Sequence, residues 1–218
     1  GIENEGANGR TSLEDALAQL GVTPDDISIV INTHLHFDHC GGGVRYQQDK
    51  LALTFRNATY WSNADHWKWA TAPNPREKAS FLKENILPIQ ENGQLEFIQD
   101  GKQVDNNLPI QTFTQNISIR FVDGHTESMM LPQINYKGKT IVYLADLLPS
   151  HGHIPIPYVM AYDMFPLTTL NEKKSFLNEA LANDYILFFE HDPVYECCNL
   201  QQTEKGIRPK DFFKLEEI

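Results

Sequence analysis

Four side chains able to bind a metal fall within six residues: His34, His36, Asp38 and His39, in the run Thr33-His34-Leu35-His36-Phe37-Asp38-His39-Cys40-Gly41-Gly42. His34 and His36 are two apart, so at the end of an extended strand both point to one side. Asp38 and His39 follow where the chain must turn, and so aim at a second point beside the first. Imidazole and carboxylate together suit zinc and other borderline divalent ions. Packing them this densely is costly unless a cation satisfies them. Gly41 and Gly42 let the backbone pass close behind. The chemistry on offer is that of a bound divalent metal, which acts as a Lewis acid and lowers the pKa of coordinated water.

The elements around the run must hold it in place. Ile27–Asn32 (ISIVIN) is almost wholly apolar, the pattern of a strand buried on both faces, and leads straight into His34. Before it, Ser12–Leu20 has helical apolar spacing, with Thr11 or Ser12 as cap and Gly21 as stop, then a turn at Thr23-Pro24-Asp25-Asp26. Thr59–Trp61 reads as a short strand, and Asn63 caps a helix carrying His66, Trp67 and Trp69. Pro75–Leu87 is predicted as a helix closed by Pro88. From Gln94 the pattern turns to strands: Leu95–Gln99, Ile117–Val122, Met129–Tyr136 and Thr140–Leu144, the last two joined by a hairpin turn at Lys137-Gly138-Lys139. Ser150–Pro166, rich in proline, histidine and aromatics, reads as a long ordered loop. Thr169–Asn183 is a helix, and Tyr185–Glu190 (YILFFE) a buried strand ending at His191. No internal repeat or linker interrupts this order. It predicts a sheet-rich α/β sandwich with helices outside, one domain over 1–218.

The pattern HxHxDH followed by Gly-Gly resembles the signature of the metallo-β-lactamase superfamily, which His34 to Gly42 matches without a gap. The resemblance runs from about Leu13 to about His191 and implies the αββα sandwich of that superfamily. It also implies three further ligands, each just after a strand: His125 in Asp123-Gly124-His125-Thr126, Asp146 in Leu144-Ala145-Asp146, and His191 in Glu190-His191-Asp192. By this resemblance His34, His36 and His125 bind one metal, Asp38, His39 and His191 a second, and Asp146 bridges both. It implies two zinc ions, with Mn, Fe or Co as alternatives. A metal-bridging hydroxide would then attack a carbonyl or phosphoryl centre, with Asp38 and Asp146 as the catalytic carboxylates. Asp146 stands where lactam-cleaving members with a zinc-bound cysteine carry that cysteine, so lactam cleavage is not favoured. His36 stands where flavodiiron oxygen reductases carry Glu, which argues for hydrolysis over redox iron.

Spacing narrows the branch. His39 and His125 are 86 positions apart, much further than in glyoxalase-type thioesterases. The layout is similar to the branch holding methyl parathion hydrolase and the N-acyl homoserine lactonases. It departs from the lactonases at Leu147-Leu148-Pro149, where they often carry a tyrosine. The implied substrate is a small ester, lactone or phosphotriester. The alternatives are a non-catalytic metal-binding module, or a thioesterase- or nuclease-type member. Trp69, His151, His153, Tyr158 and Phe165 are the candidate pocket residues, while His66 and Cys40 read as structural. Family members begin with strands before the helix at Leu13, and Gly1-Ile2-Glu3-Asn4 resembles only the residues after them. The expectation is an N-terminally incomplete domain, short of about two to four strands, with one exposed sheet edge.

The bulk properties limit partners. A formal net charge of −11 repels phosphate backbones and anionic lipid, so neither nucleic acid nor a membrane surface is expected as partner. No run of 18 apolar residues spans a bilayer. Cys40, Cys197 and Cys198, an odd count with an adjacent pair, form no disulfide framework; they suit a reducing compartment, and the cytoplasm is expected. The partner anticipated is a small-molecule substrate, and a homodimer is compatible with the sequence.

Overall fold

The computed structural model describes residues 11–99 and 108–218. The Gly1–Asn4 stretch, and what it resembles, lies outside the described residues. The chain divides between Ile98 and Gln99 into two compact units.

The first unit opens with α1 (Ser12–Gln19), started by a capping box: Thr11 Oγ1 accepts from Glu14 N at 3.3 Å, and Glu14 Oε2 accepts from Thr11 N at 2.9 Å. β1 (Ile29–Ile31), α2 (Phe37–Cys40), β2 (Val44–Gln47), β3 (Lys50–Leu53), β4 (Thr59–Ser62), α3 (Ala64–Thr71), α4 (Lys83–Glu91) and β5 (Leu95–Phe97) follow. β1, β4 and β5 form a parallel sheet in the order β1-β4-β5, and β2 and β3 a separate hairpin. β1 is not buried on both faces as its composition predicts, since Ile29 is 47% exposed. Among the described residues β1 pairs only with β4, so it is an edge.

The β2–β3 hairpin has no Gly or Pro to announce it. Gln48 and Asp49 make the turn at φ 50° and 61°, conformations usually left to Asn or Gly. The helix predicted over Pro75–Leu87 is displaced: residues 75–80 form turns, and α4 runs from Lys83 through Pro88 to Glu91. Pro88 removes one backbone donor, yet Ile86 and Ile89 on the same helix are buried. The Pro88 carbonyl also closes the helix, accepting Asn92 N at 3.1 Å and Asn92 Nδ2 at 2.7 Å.

The second unit is built on β6 (Ile110–Thr112), β7 (Ile117–Val122), β8 (Met129–Tyr136), β9 (Lys139–Tyr143), α5 (Pro166–Ala182), β10 (Ile186–Phe188), β11 (Cys197–Thr203) and β12 (Gly206–Phe213). All seven strands form one sheet, in the order β12-β11-β10-β9-β8-β7-β6. Only β9 and β10 are parallel, because α5 is the crossover between them. The β8–β9 turn falls where expected, with Lys137 and Gly138 at φ 48° and 73°, a type I′ geometry. α5 begins at Pro166, a favoured first helical residue, three positions before the expected start. β11 and β12 have no strand signature: Asn199, Gln201 and Gln202 dilute the first, and Pro209 sits in the second, tolerable on an edge.

Val142, Leu144 and Leu187 of the sheet pack with Phe176, Leu177 and Ala180 of α5, all fully buried. Two cations fasten α5. Buried Arg120 on β7 holds Glu179 with two donors, at 2.9 and 2.5 Å, and donates through Nε to Gln133 Oε1 at 2.7 Å. Lys173, fully buried, donates from Nζ to the carbonyls of Pro155 and Ile156, both at 3.1 Å, and of Tyr158 at 2.5 Å. Burial pulls its pKa down to about 8. The Ser150–Pro166 loop is thereby tied to the helix that follows it. No helix among the described residues is long and apolar enough to cross a membrane.

Removing one partner of the Arg120–Glu179 pair strands a mostly buried charge. Arg120→Ala should lower stability by about 3–5 kcal/mol, read as a shifted urea midpoint at constant slope. A loss under about 1 kcal/mol would mean that α5 is held by apolar packing alone.

Candidate metal centre

In the first unit, β1 delivers the chain to His34, fully buried, and His36, nearly so. Both backbone groups of the intervening Leu35 are pinned. Its N–H donates to His66 Nε2 at 2.8 Å, and its carbonyl accepts from Cys40 Sγ at 3.4 Å. His66 is itself fixed at the start of α3, where its N–H donates to Asn63 Oδ1 at 2.8 Å. These two residues are therefore supports for the motif, as their expected structural roles require. Burial pushes the Cys40 thiol up to about 12, so it stays protonated.

Past His36 the chain turns through the four-residue α2, which presents Asp38 and His39. Ring centroids of His34 and His36 lie 4.7 Å apart, and those of His34 and His39 3.9 Å. His34 and His36 offer ligand atoms within 4.8 Å of each other, as do Asp38 and His39. Close-set imidazoles are acceptors that a cation reconciles; their chemistry fits a borderline divalent ion. Behind them His36 Nε2 lies 3.4 Å from Oε1 of buried Glu77.

In the second unit, β7 leads to Asp123-Gly124-His125. Glu172 of α5 accepts from the N–H of Asp123 at 2.6 Å and of Gly124 at 3.0 Å. Burial lifts Glu172 to about 7 against those two hydrogen bonds. A Cβ at Gly124 would lie 2.3 Å from Thr169 Oγ1 and 2.5 Å from Thr169 N, so only glycine permits this contact. The loop returns alongside: Phe165 N donates to Gly124 O at 2.8 Å and Met164 N to His125 O at 3.1 Å.

Asp146 follows β9 after Ala145, which is buried and held at φ 40°, a left-handed conformation costing an alanine about 1 kcal/mol or more. Asp146 turns one oxygen to each of two histidines. Oδ2 lies 3.0 Å from His125 Nε2, and Oδ1 3.4 Å from His191 Nε2. His191 is held by its N–H, which donates to Pro149 O at 3.0 Å. On the far side of the His125 ring, Nδ1 lies 3.0 Å from Oδ1 of buried Asp163. Burial opposes charge on His125, but Asp146 and Asp163 together raise its pKa to about 9. The site draws positive charge, which a bound cation would supply in place of the proton.

The pocket candidates fall in three groups. Tyr158 and Phe165 leave apolar surface exposed on the loop, Tyr158 at 60%. His151 and His153 serve the loop itself. His151 Nδ1 meets Asp192 Oδ2 at 2.5 Å, its ring edge-on to Tyr195 and Phe212, and His153 Nδ1 meets Ser150 Oγ at 2.9 Å. Trp69 donates its indole N–H to Glu77 Oε2 at 2.7 Å. Glu77, Asp163 and Glu172 have no signature in the sequence, because each meets its partner 38 to 49 positions away.

A sequence model of the Metallo-beta-lactamase superfamily matches residues 5–191. Among solved structures, the chain is similar to a probable metal-dependent hydrolase from Staphylococcus aureus, with 23% identity and TM-score 0.81, covering 99% of this chain and 76% of that one. It is similar to AidC, a dizinc quorum-quenching lactonase in complex with a product, N-hexanoyl-L-homoserine, at 20% identity and TM-score 0.74, covering 98% and 74%. It is also similar to AbOPH, a hydrolase in the β-lactamase superfamily, at 20% identity and TM-score 0.73, covering 94% and 72%. These likenesses are of the mixed α/β fold.

The Gly124–Thr169 contact is checked by one substitution. Gly124→Ala must push the His125 loop off α5, at an overpacking cost of about 1–3 kcal/mol or more, seen as a lowered melting temperature. A variant as stable as wild type would mean the loop does not depend on that contact.

Proposed function

Because this chain belongs to the metallo-β-lactamase superfamily, we propose that it is a metal-dependent hydrolase in which residues 1–218 act as one domain. The observation that carries this reading is Asp146, whose two oxygens face His125 and His191. On this reading His34, His36 and His125 hold one zinc ion, Asp38, His39 and His191 a second, and Asp146 both. When bound, the metal pair supplies an activated water and a Lewis acid for the oxygen that becomes negative. The chain's own part is to aim and to exclude. His34 and His36 are buried in the first unit and His125 and Asp146 in the second, whereas Asp38 is exposed and able to orient the attacking water.

The substrate proposed is a small ester, lactone or phosphotriester with an apolar part, bound against Tyr158 and Phe165. Two features support it: the apolar surface of the loop, and a net charge of −11 that disfavours polyanions. The acyl-homoserine product bound in AidC makes acyl lactones the first class to test.

Turnover of a panel of lactones, aryl esters and organophosphates by zinc-loaded protein tests the reaction class, with chelation abolishing activity and zinc restoring it. Asp146→Ala should lose more than the roughly 100-fold expected for an outer carboxylate. Turnover untouched by chelation or by Asp146→Ala would overturn the reading. Tyr158→Ala and Phe165→Ala should each change the preference between short- and long-chain esters. An unchanged preference in both would place the acyl pocket elsewhere.

A further inference from the structure

We propose that Glu77 and Asp163 are positioning residues that fix opposite tautomers on two metal-binding histidines, so that His36 offers Nδ1 and His125 offers Nε2. This rests on the metal-centre reading above, and extends it to residues outside the ligand set.

The assignment at His36 follows from hydrogen-bond direction. Asn74 Oδ1 accepts the backbone N–H of Arg76 at 2.9 Å and of Glu77 at 3.2 Å, which fixes the orientation of its amide. The Asn74 Nδ2 group is therefore the one that meets Glu77 Oε2, at 2.6 Å, and it donates. The Trp69 indole, which can only donate, reaches the same oxygen at 2.7 Å. Glu77 is thus held as an acceptor by two donors on Oε2, and its Oε1 faces His36 Nε2 at 3.4 Å. An acceptor there requires the His36 proton on Nε2, leaving the lone pair on Nδ1 for a metal. The Phe81 ring, 4.7 Å from the His36 ring, packs beside it.

At His125 the order is reversed. Both ring nitrogens face a carboxylate at 3.0 Å, Nδ1 that of Asp163 and Nε2 that of Asp146. Because Asp146 is itself a ligand on the metal-centre reading, Asp163 is the acceptor left to hold the proton on Nδ1 when a metal is bound. Asp163 is itself held: its N–H donates to Met160 O at 3.2 Å, and the next two residues bond back to His125 and Gly124. Lys173 anchors the same loop upstream through the Pro155, Ile156 and Tyr158 carbonyls. The ring is therefore set from a loop whose side chains are proposed to read the substrate.

A neutral imidazole without such a partner divides itself between two tautomers and rotates, so metal affinity falls when the outer carboxylate is lost, typically 10–100-fold. The test measures zinc affinity by competition with a chromophoric chelator in wild type, Glu77→Ala, Asp163→Ala and the amide variants Glu77→Gln and Asp163→Asn. Each alanine variant should lose about 10–100-fold in zinc affinity. Asp163→Asn, whose oxygen can still accept from His125 Nδ1, should recover part of it. Glu77→Gln should not, because Trp69 and Asn74 claim its one oxygen and turn its amide nitrogen toward His36. Long-range ¹⁵N–¹H spectra of the zinc-loaded wild type should show His36 protonated on Nε2 and His125 on Nδ1. A merely structural role would lower the melting temperature of metal-free protein and leave the ring tautomers and the zinc affinity of folded protein unchanged. If an alanine variant does not fold, the amide variant and the wild-type spectrum still decide. Opposite tautomers, or unchanged zinc affinity in folded variants of both residues, would overturn the assignment. If zinc binds with these tautomers but the panel of esters, lactones and organophosphates is not turned over, the hydrolase reading falls and this assignment stands.

Discussion

Placing carboxylates and imidazoles out of water is the constraint on which the rest of this structure depends. His34, His125 and Asp146 are almost wholly buried, and such groups destabilise a fold unless each is met by an opposite charge or a hydrogen bond. Much of the surrounding architecture answers that demand. His66 and Cys40 hold Leu35 between two of the histidines. Glu172 and Thr169 hold the His125 loop against α5. Ala145 accepts a left-handed backbone so that Asp146 turns in at the end of β9. These arrangements cost stability locally, and the apolar contacts of α5 on the sheet supply it.

How much of this could be read in advance depended on sequence distance. His34 to His39 lie in one run, so their meaning survives without any knowledge of the fold. His125, Asp146 and His191 each follow a strand, and only the family resemblance marks them as candidates. Helix α1 and the β8–β9 turn were legible because Thr11 with Glu14, and Lys137 with Gly138, carry local backbone rules. Where tertiary packing overrides local preference, the reading failed. Pro88 looked like a stop, yet buried Ile86 and Ile89 carry α4 through it. The β2–β3 hairpin turns on Gln48 and Asp49, β11 is diluted by Asn199, Gln201 and Gln202, and β12 is an edge strand carrying Pro209, so none of them announces itself. Glu77 lies in a polar turn and Asp163 in a loop, and nothing local tells a solvated carboxylate from one facing a histidine 41 or 38 positions away.

The loop from Ser150 to Pro166 ties these themes together. Its exposed Tyr158 and Phe165 are the surfaces proposed to meet substrate, and its Asp163 is the residue behind His125. Lys173 fixes its course from below. Variation in such a loop would alter substrate preference and ligand orientation at once, so exchanges that spare Asp163 and the Lys173 contacts should be tolerated best.

The central claim is a two-metal centre organised by Asp146. Anomalous diffraction at the zinc edge from crystals of zinc-loaded protein tests it most directly. The account predicts two peaks per chain, about 3.5–4 Å apart, with the Asp146 carboxylate between them. A single peak at saturating zinc, or peaks away from Asp146, would contradict it.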